Sequence, residues 1–485
     1  MKSKVILLII MTLCTLFTSC HGDLNIIQKS EISTNSMWQS ESDAISAMYG
    51  MYNKFRIAFS DGLMYWGEYR TGLWGDGLMT QTSRDQVYQS HIPTNHKYAN
   101  WDKIYTTINT ANLILKYTPN ISFNNDIDKK RVMANAYFVR AFCYYWVGRI
   151  WGDAPVLLDG FESDKQDGLY PTRNLADEVF AQVGSDIKDA LSLMPISVSE
   201  RNLASLASIN MLKADYSLWM YKVRGAGDTA LTDAETAIAA LLNNANYSLE
   251  ENYADIFTHE LGKEIIFAWS YIQDEYTGGY PADYLVPNQY VSNEFIENPV
   301  KTGSHQQWCF YTDDYKNILS EYEMDSRTIV SYETFYDKYK NDTLQWINKF
   351  AGTWQNGTRI FDSDIIVYRY ADALLFDAEI KMLQNNISGA VMSLNKVAER
   401  AYGKKDFYST DISSEVLKNI ILNERMKEFA AEGKLWWDFI RLGVVFEKVP
   451  YLVGREDELN ILLWPVSQIS INKNPNLAQT PGYNE

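Results

Sequence analysis

Apolar and polar positions alternate at helical spacing over most of this chain and lose that rhythm in one long central stretch and in the tail. After a polar tether from His21 to about Asn35, the run AISAMYGMYNKF predicts a helix through Tyr49 and Tyr52, with Ser42 or Asp43 as its cap. WDKIYTTINTANLIL predicts a further helix, and ANAYFVRAFCYYWVGRIWGDAPVL a pair of helices, the second of the pair stopped by Gly152 and Pro155. Three more follow over residues 175–194, 202–222 and 233–242. Ala134, Ala136, Ala141, Ala204, Ala207 and Ala214 fall on their packing sides, where small residues let helices approach. Helix pairs of this kind suggest tetratricopeptide-like units, although no strict period is readable.

From about Asn246 to Ser363 short apolar runs such as EIIFAWSY stand between Gly, Pro, Asn and aromatic-rich connections, including EYTGGYPADYLVPNQY. A loop-rich stretch this long is either functional or disordered, and its aromatic content argues against disorder. Helical pattern returns in DSDIIVYRYADALLFDAEIKML, with Asp364 as the expected cap, and over residues 388–402. The tail, LLWPVSQISINKNPNLAQTPGY, has almost no helical character, because Pro465, Pro475 and Pro481 with Gly482 force extended segments and turns. These changes divide the chain into an N-terminal helical region, 20–245, and a C-terminal region, 246–485. The latter comprises a loop-rich insert (246–362), helices (363–443) and the extended tail (444–485).

One stretch breaks the pattern with acids. Leu417 and Ile421 begin a core-facing stripe that continues, at helical spacing, through Glu424, Glu428 and Glu432. Buried carboxylates need partners, and Arg425, Lys427, Lys434 and Arg441 are near. Paired acids suggest a glycoside hydrolase using Glu424 or Glu428. The stronger reading is an ion-pair network locking helices together. Gly433 sits where a helix would end in the left-handed conformation, and Trp436, Trp437, Phe439 and Ile440 then begin a short aromatic helix closed by Gly443.

Charge and composition narrow the function. A net charge of -17 argues against a nucleic-acid binder, since phosphate contacts need a basic surface, which only a local patch could supply. Aromatic residues make up 14% of the chain, with 33 tyrosines, a residue suited to wet binding surfaces. The five histidines, His21, His91, His96, His259 and His305, show no metal spacing, and no nucleotide or nucleophile motif is present, so no metal or cofactor is expected. Lys2 and Lys4 precede an apolar run from Val5 to Phe17 that ends in a lipobox-like Leu16, Phe17, Thr18, Ser19 and Cys20. Residues 1–19 therefore read as a lipoprotein signal peptide and Cys20 as the lipidated residue, while Cys143 and Cys309 make no disulfide framework.

The series Glu424, Arg425, Glu428, Phe429, Glu432, Gly433, Trp436, Asp438, Arg441 and Gly443 resembles the signature of the SusD/RagB family, surface glycan-binding lipoproteins of Bacteroidetes-type bacteria. Asp364, Arg369, Tyr370, Asp372, Leu374, Leu375, Ala378 and Glu379 are similar to a second family element, as are ANAYFVRAFCYYWVGRIWGDAPVL and the proline-rich ending. The resemblance implies a mainly α fold, a tetratricopeptide-like helix-pair superhelix with a loop-rich, partly β ligand-binding region. It also implies an outer-membrane, lipid-anchored protein exposed at the cell surface. Such a protein is no enzyme and needs no cofactor: it captures oligo- or polysaccharide and delivers it to a partner SusC-like TonB-dependent transporter. Some relatives present peptides instead.

Sugar recognition needs flat aromatic faces and hydrogen-bonding groups on supported loops. Two loop groups fit: Tyr65, Trp66, Arg70, Trp74 and Asp76, then Tyr276, Tyr280, Asp283, Tyr284 and Trp308. The resemblance implies that they converge on one face, with Trp74 the favoured contact. Trp66 is the more suited to a core, and Trp101, Trp146, Trp151 and Trp269 lie in regular segments and are expected in the core.

Overall fold

The first helix, α1 (Glu41–Phe59), is capped by Ser40 rather than by Ser42 or Asp43. The Asp43 N–H donates to the Ser40 hydroxyl at 3.4 Å, and the Ser40 N–H returns a bond to the Asp43 carboxylate at 2.8 Å. This is a computed structural model, which describes residues 37–197, 200–258, 261–273, 277–295, 305–356 and 358–483. The body begins at Ser40. Its long helices continue with α2 (Asp102–Tyr117), α3 (Asp126–Trp151), α4 (Ala176–Leu193), α5 (Leu206–Lys222) and α6 (Asp228–Leu242). After the loop-rich stretch come α7 (Tyr370–Leu383), α8 (Ile387–Tyr402), α9 (Ser414–Glu428) and α10 (Leu435–Arg441).

Helix α3 packs on α4, α5 on α6, and α7 on α8, so the stack of helix pairs expected from the sequence is present. Ala134, Ala136, Ala141, Ala204, Ala207 and Ala214 are all buried, as their spacing predicts. The centre is aromatic. Phe59 of α1 lies 5.5 Å from Trp269 and 5.3 Å from both Phe142 and Trp146 of α3, ring centroid to ring centroid. Trp146 in turn meets Trp437 of α10 edge to face at 5.6 Å.

Among the described residues eight short strands interrupt the helices: β1 (Trp74–Asp76), β2 (Ile265–Trp269), β3 (Cys309–Tyr311), β4 (Glu333–Asp337), β5 (Asp342–Trp346), β6 (Thr353–Gln355), β7 (Thr358–Ile360) and β8 (Ile365–Arg369). They form two-stranded antiparallel ladders, β1 with β3, β2 with β8, β4 with β5 and β6 with β7.

Four local expectations are corrected. The run ANAYFVRAFCYYWVGRIW holds no pair of helices: it is the later part of the single helix α3, which runs unbroken from Asp126 to Trp151 and ends at Gly152 (φ 72°). Residues 365–369 are not the start of a helix capped by Asp364: Ile365, Ile366, Val367 and Tyr368 form β8, a fully buried strand against β2. Asp364 instead accepts the Tyr271 N–H at 2.8 Å. The acidic helix α9 stops at Glu428, five residues short of Gly433, because Ala431 (φ 61°) and Gly433 (φ 70°) turn the chain left-handed into α10. The tail does contain helix, at Val445–Lys448 and at Gln468–Lys473, where the Ser467 hydroxyl caps by accepting the Ile469 N–H.

Candidate functional site

The β1–β3 ladder brings the two loop groups together across the length of the chain, pairing Trp74 with Tyr311, Gly75 with Phe310 and Asp76 with Cys309. The contact continues past the strands, the Gly77 N–H donating to the Trp308 carbonyl at 3.3 Å and the Met79 N–H to the Gln307 carbonyl at 3.1 Å. A third segment joins where the Trp308 N–H donates to the Asp283 carbonyl at 3.0 Å.

Side chains complete the cluster. Arg84, on the short helix Thr82–Tyr88, is ion-paired with Asp283, whose other oxygen lies 2.8 Å from His305 Nε2. Burial would lower the pKa of Arg84, but Asp283 holds it above its ordinary value. The guanidinium stands 5.8 Å from the Trp308 ring and 5.9 Å from Tyr65, which is stacked on Tyr98 at 3.9 Å. Trp308, Asp283 and Tyr98 are half-buried, while Asp76, Leu78, Met79 and His305 reach solvent. The pKa of Asp76 is raised, first by partial burial and then by Asp85. A supported aromatic face ringed by a carboxylate, an imidazole and a fixed guanidinium can stack on an apolar surface and bond hydroxyls around it.

The expected ligand residues divide. Asp76, Asp283 and Trp308 belong to this surface. Trp74 does not: it is 2% exposed, boxed in by Tyr69, Tyr284 and Tyr311 at centroid distances of 5.2, 5.5 and 4.7 Å. Tyr284 is buried in the same box, its hydroxyl 3.2 Å from that of Tyr69. Arg70 is fully buried and donates to the carbonyls of Leu462 at 2.8 Å and Ile461 at 2.6 Å while lying over Trp436. Trp74 and Tyr284 are thus packing residues at the ladder, while Arg70 fastens the early loop to the tail. Tyr280 is the first residue of the short helix Tyr280–Tyr284 that carries Asp283, and Tyr276 and Cys20 lie outside the described residues. Trp66, Trp101, Trp146, Trp151 and Trp269 are buried. Arg84, Tyr98 and His305 were missed. An arginine and a histidine far apart in sequence carry no spacing signal, and only the fold sets both against Asp283.

Residues 310–456 match the model of the SusD family, and residues 29–211 match one described as "Starch-binding associating with outer membrane". SusD-like protein P38 of Formosa agariphila is 24% identical across 99% of both chains, and SusD-like protein P2 of the same organism is 29% identical across 79% of this chain and 80% of its own. Among solved structures, B. fragilis NanU superposes with a TM-score of 0.83 at 26% identity, covering 95% of this chain and 100% of that one. A SusD superfamily protein from Bacteroides vulgatus gives 0.79 at 24% identity over 92% of this chain and 100% of that one. The chain belongs to the SusD/RagB family.

The SusD/RagB signature residues build a sealed ion network. Glu424 is 2.8 Å from Arg327, and Glu428 takes Arg327 at 3.2 Å together with Arg369 and Arg400. Glu432 takes Arg369 at 2.9 Å and Lys349 at 2.8 Å. Asp438 pairs with Arg425 at 2.7 Å and with Arg441 at 2.8 Å, and Arg441 also reaches Glu379 at 2.9 Å. Burial opposes ionisation of Glu424, Glu428 and Glu432, yet these cations hold all three below the usual carboxylate range. A general acid needs the opposite shift and a route to substrate, so Glu424 and Glu428, both without exposed surface, are not placed as a hydrolase pair.

Proposed function

We propose that this SusD/RagB protein is a non-enzymatic glycan-binding lipoprotein, anchored in the outer membrane through Cys20 and exposed at the cell surface. It captures oligo- or polysaccharide and delivers it to a SusC-like TonB-dependent transporter. The observation that carries the ligand reading is the half-buried Trp308 ring beside the Arg84, Asp283 and His305 cluster, held there by the β1–β3 ladder. One aromatic face with charged and polar groups at its edge is what a sugar ring needs, apolar on one side and hydroxylated at its rim.

Affinity electrophoresis in gels containing laminarin, xylan, mannan or polygalacturonate tests it. One or more of these is expected to retard the protein, and Trp308→Ala to abolish the retardation with an unchanged melting curve. A folded protein that none of them retards, and that binds nothing on a broad glycan array, overturns the reading. Co-purification of a large β-barrel protein from native outer membranes tests the transporter.

A further inference from the structure

The β4–β5 hairpin presents a second aromatic surface. Its inner face is core: Phe335, Leu344 and Trp346 pack with Leu285, Val286 and Val291, the segment that directly follows Asp283 and Tyr284. The outer face holds Thr334, Tyr336, Thr343 and Gln345, and Tyr336 stands directly across from Thr343. Tyr336 and, in the turn, Tyr339 are each 57% exposed.

Neither tyrosine is loosely held. Buried Asp337 fixes the turn by accepting the N–H groups of Tyr339 at 3.0 Å and Lys340 at 3.1 Å, and it ties the hairpin to Ser292 through that residue's N–H and hydroxyl, both at 2.7 Å. The Tyr336 hydroxyl donates to Asn341 at 2.6 Å, and the Tyr339 ring rests 5.7 Å from Phe295. An exposed aromatic fixed by its neighbours gives up little freedom on binding, which is the property a ligand contact requires.

The hairpin is also tied to the Trp308 surface. Gln307 Nε2 donates to the Gln345 carbonyl at 2.8 Å and to the Tyr284 carbonyl at 3.0 Å. At the far end Lys340 Nζ donates to the Gln289 carbonyl at 2.5 Å, and the Gln289 amide donates to Gln306 at 3.3 Å. From Gln345 to Asp342 the extended strand covers roughly 10 Å before the turn begins, more than one sugar ring spans.

We infer that the hairpin is a distal subsite: Tyr336 and Tyr339 contact later units of a glycan chain whose first units lie on Trp308. The protein then selects oligosaccharides of several units over mono- and disaccharides. This rests on the glycan reading above and extends it to chain length.

The full chain in detergent is titrated calorimetrically with the disaccharide and the hexasaccharide of whichever polymer retards it. In the double variant Tyr336→Ala, Tyr339→Ala, hexasaccharide affinity is expected to fall roughly fivefold or more, with disaccharide affinity unchanged. Tyr336→Trp with Tyr339→Trp is expected to restore hexasaccharide binding. Equal loss on both lengths, or no loss on the hexasaccharide with the hairpin folded, overturns the distal subsite and leaves the Trp308 site standing. A wild-type chain that binds no polymer overturns both.

Discussion

Glu68 has no exposed surface, and its carboxylate accepts the N–H groups of Ala431 at 3.2 Å, Lys434 at 3.1 Å and Leu435 at 3.4 Å, at the turn that ends the acidic motif. Burial pushes its pKa up to about 8 in spite of those donors. A raised folded pKa means stability that is full below the unfolded value, near 4.5, and is lost as pH rises through 8. Glu68→Gln mimics the protonated form. The wild type is therefore expected to lose stability relative to Glu68→Gln, on the order of a few kcal/mol, between pH 5.5 and 8.5. Denaturant melts at the two pH values read the difference. Lys349, lowered to about 8 mainly by burial, acts in the opposite sense but is common to both proteins. Residue roles were the least legible in sequence. Arg70 and Trp74 have the chemistry of sugar contacts and stand in an exposed-looking loop, but Ile461, Leu462 and Trp436, hundreds of positions later, cover Arg70, and Tyr284 and Tyr311 cover Trp74.

The β1–β3 ladder has one vulnerable point. A Cβ on Gly77 would stand 2.6 Å from the Gln307 carbonyl oxygen and 3.0 Å from the Cys309 nitrogen. Gly77→Ala is thus expected to part the two loops, costing about 1–3 kcal/mol and removing glycan binding while the helix pairs remain. Circular dichroism together with gel retardation checks it; full retardation by the variant would mean that the ladder does not position Trp308. Most helices were legible because their apolar positions repeat along one face, down to α8, found within one residue of its expected start. The strands were not. The run from Ile365 to Tyr368 is apolar throughout, so its period cannot separate a buried strand from a buried helix, and its partner β2 lies about a hundred residues earlier. The outer face of β4–β5 was equally silent, since two tyrosines among charged residues carry no sign of which is held.

For the molecule as a whole, the acidic motif is a hub. Glu428 binds arginines from the segment before Thr328, from the end of β8 and from α8, so one side chain joins parts of the chain brought together only by the fold. Glu428→Gln leaves three buried cations short of charge and is expected to destabilise the protein by about 3–5 kcal/mol at pH 7, read from denaturant midpoints. The hub carboxylates have folded pKa values below 4.5, that of Glu432 near 2, so their contribution is present above 4.5 and fades as pH falls through the folded values. The wild type and Glu428→Gln should accordingly converge in stability towards pH 2. This hub was legible in outline, because acids at helical spacing demand partners. Which cations answer them was not, since Arg327, Arg369 and Arg400 lie on other elements. The ladder under the ligand surface has a consequence of a different kind. Leu73 and Thr312, bonded at its edge, are 239 positions apart, so the early loop is made long before its partner exists. A chain still emerging holds only one strand of the ladder. The paired surface arrives only with completion of the fold, so an unfinished copy cannot present it.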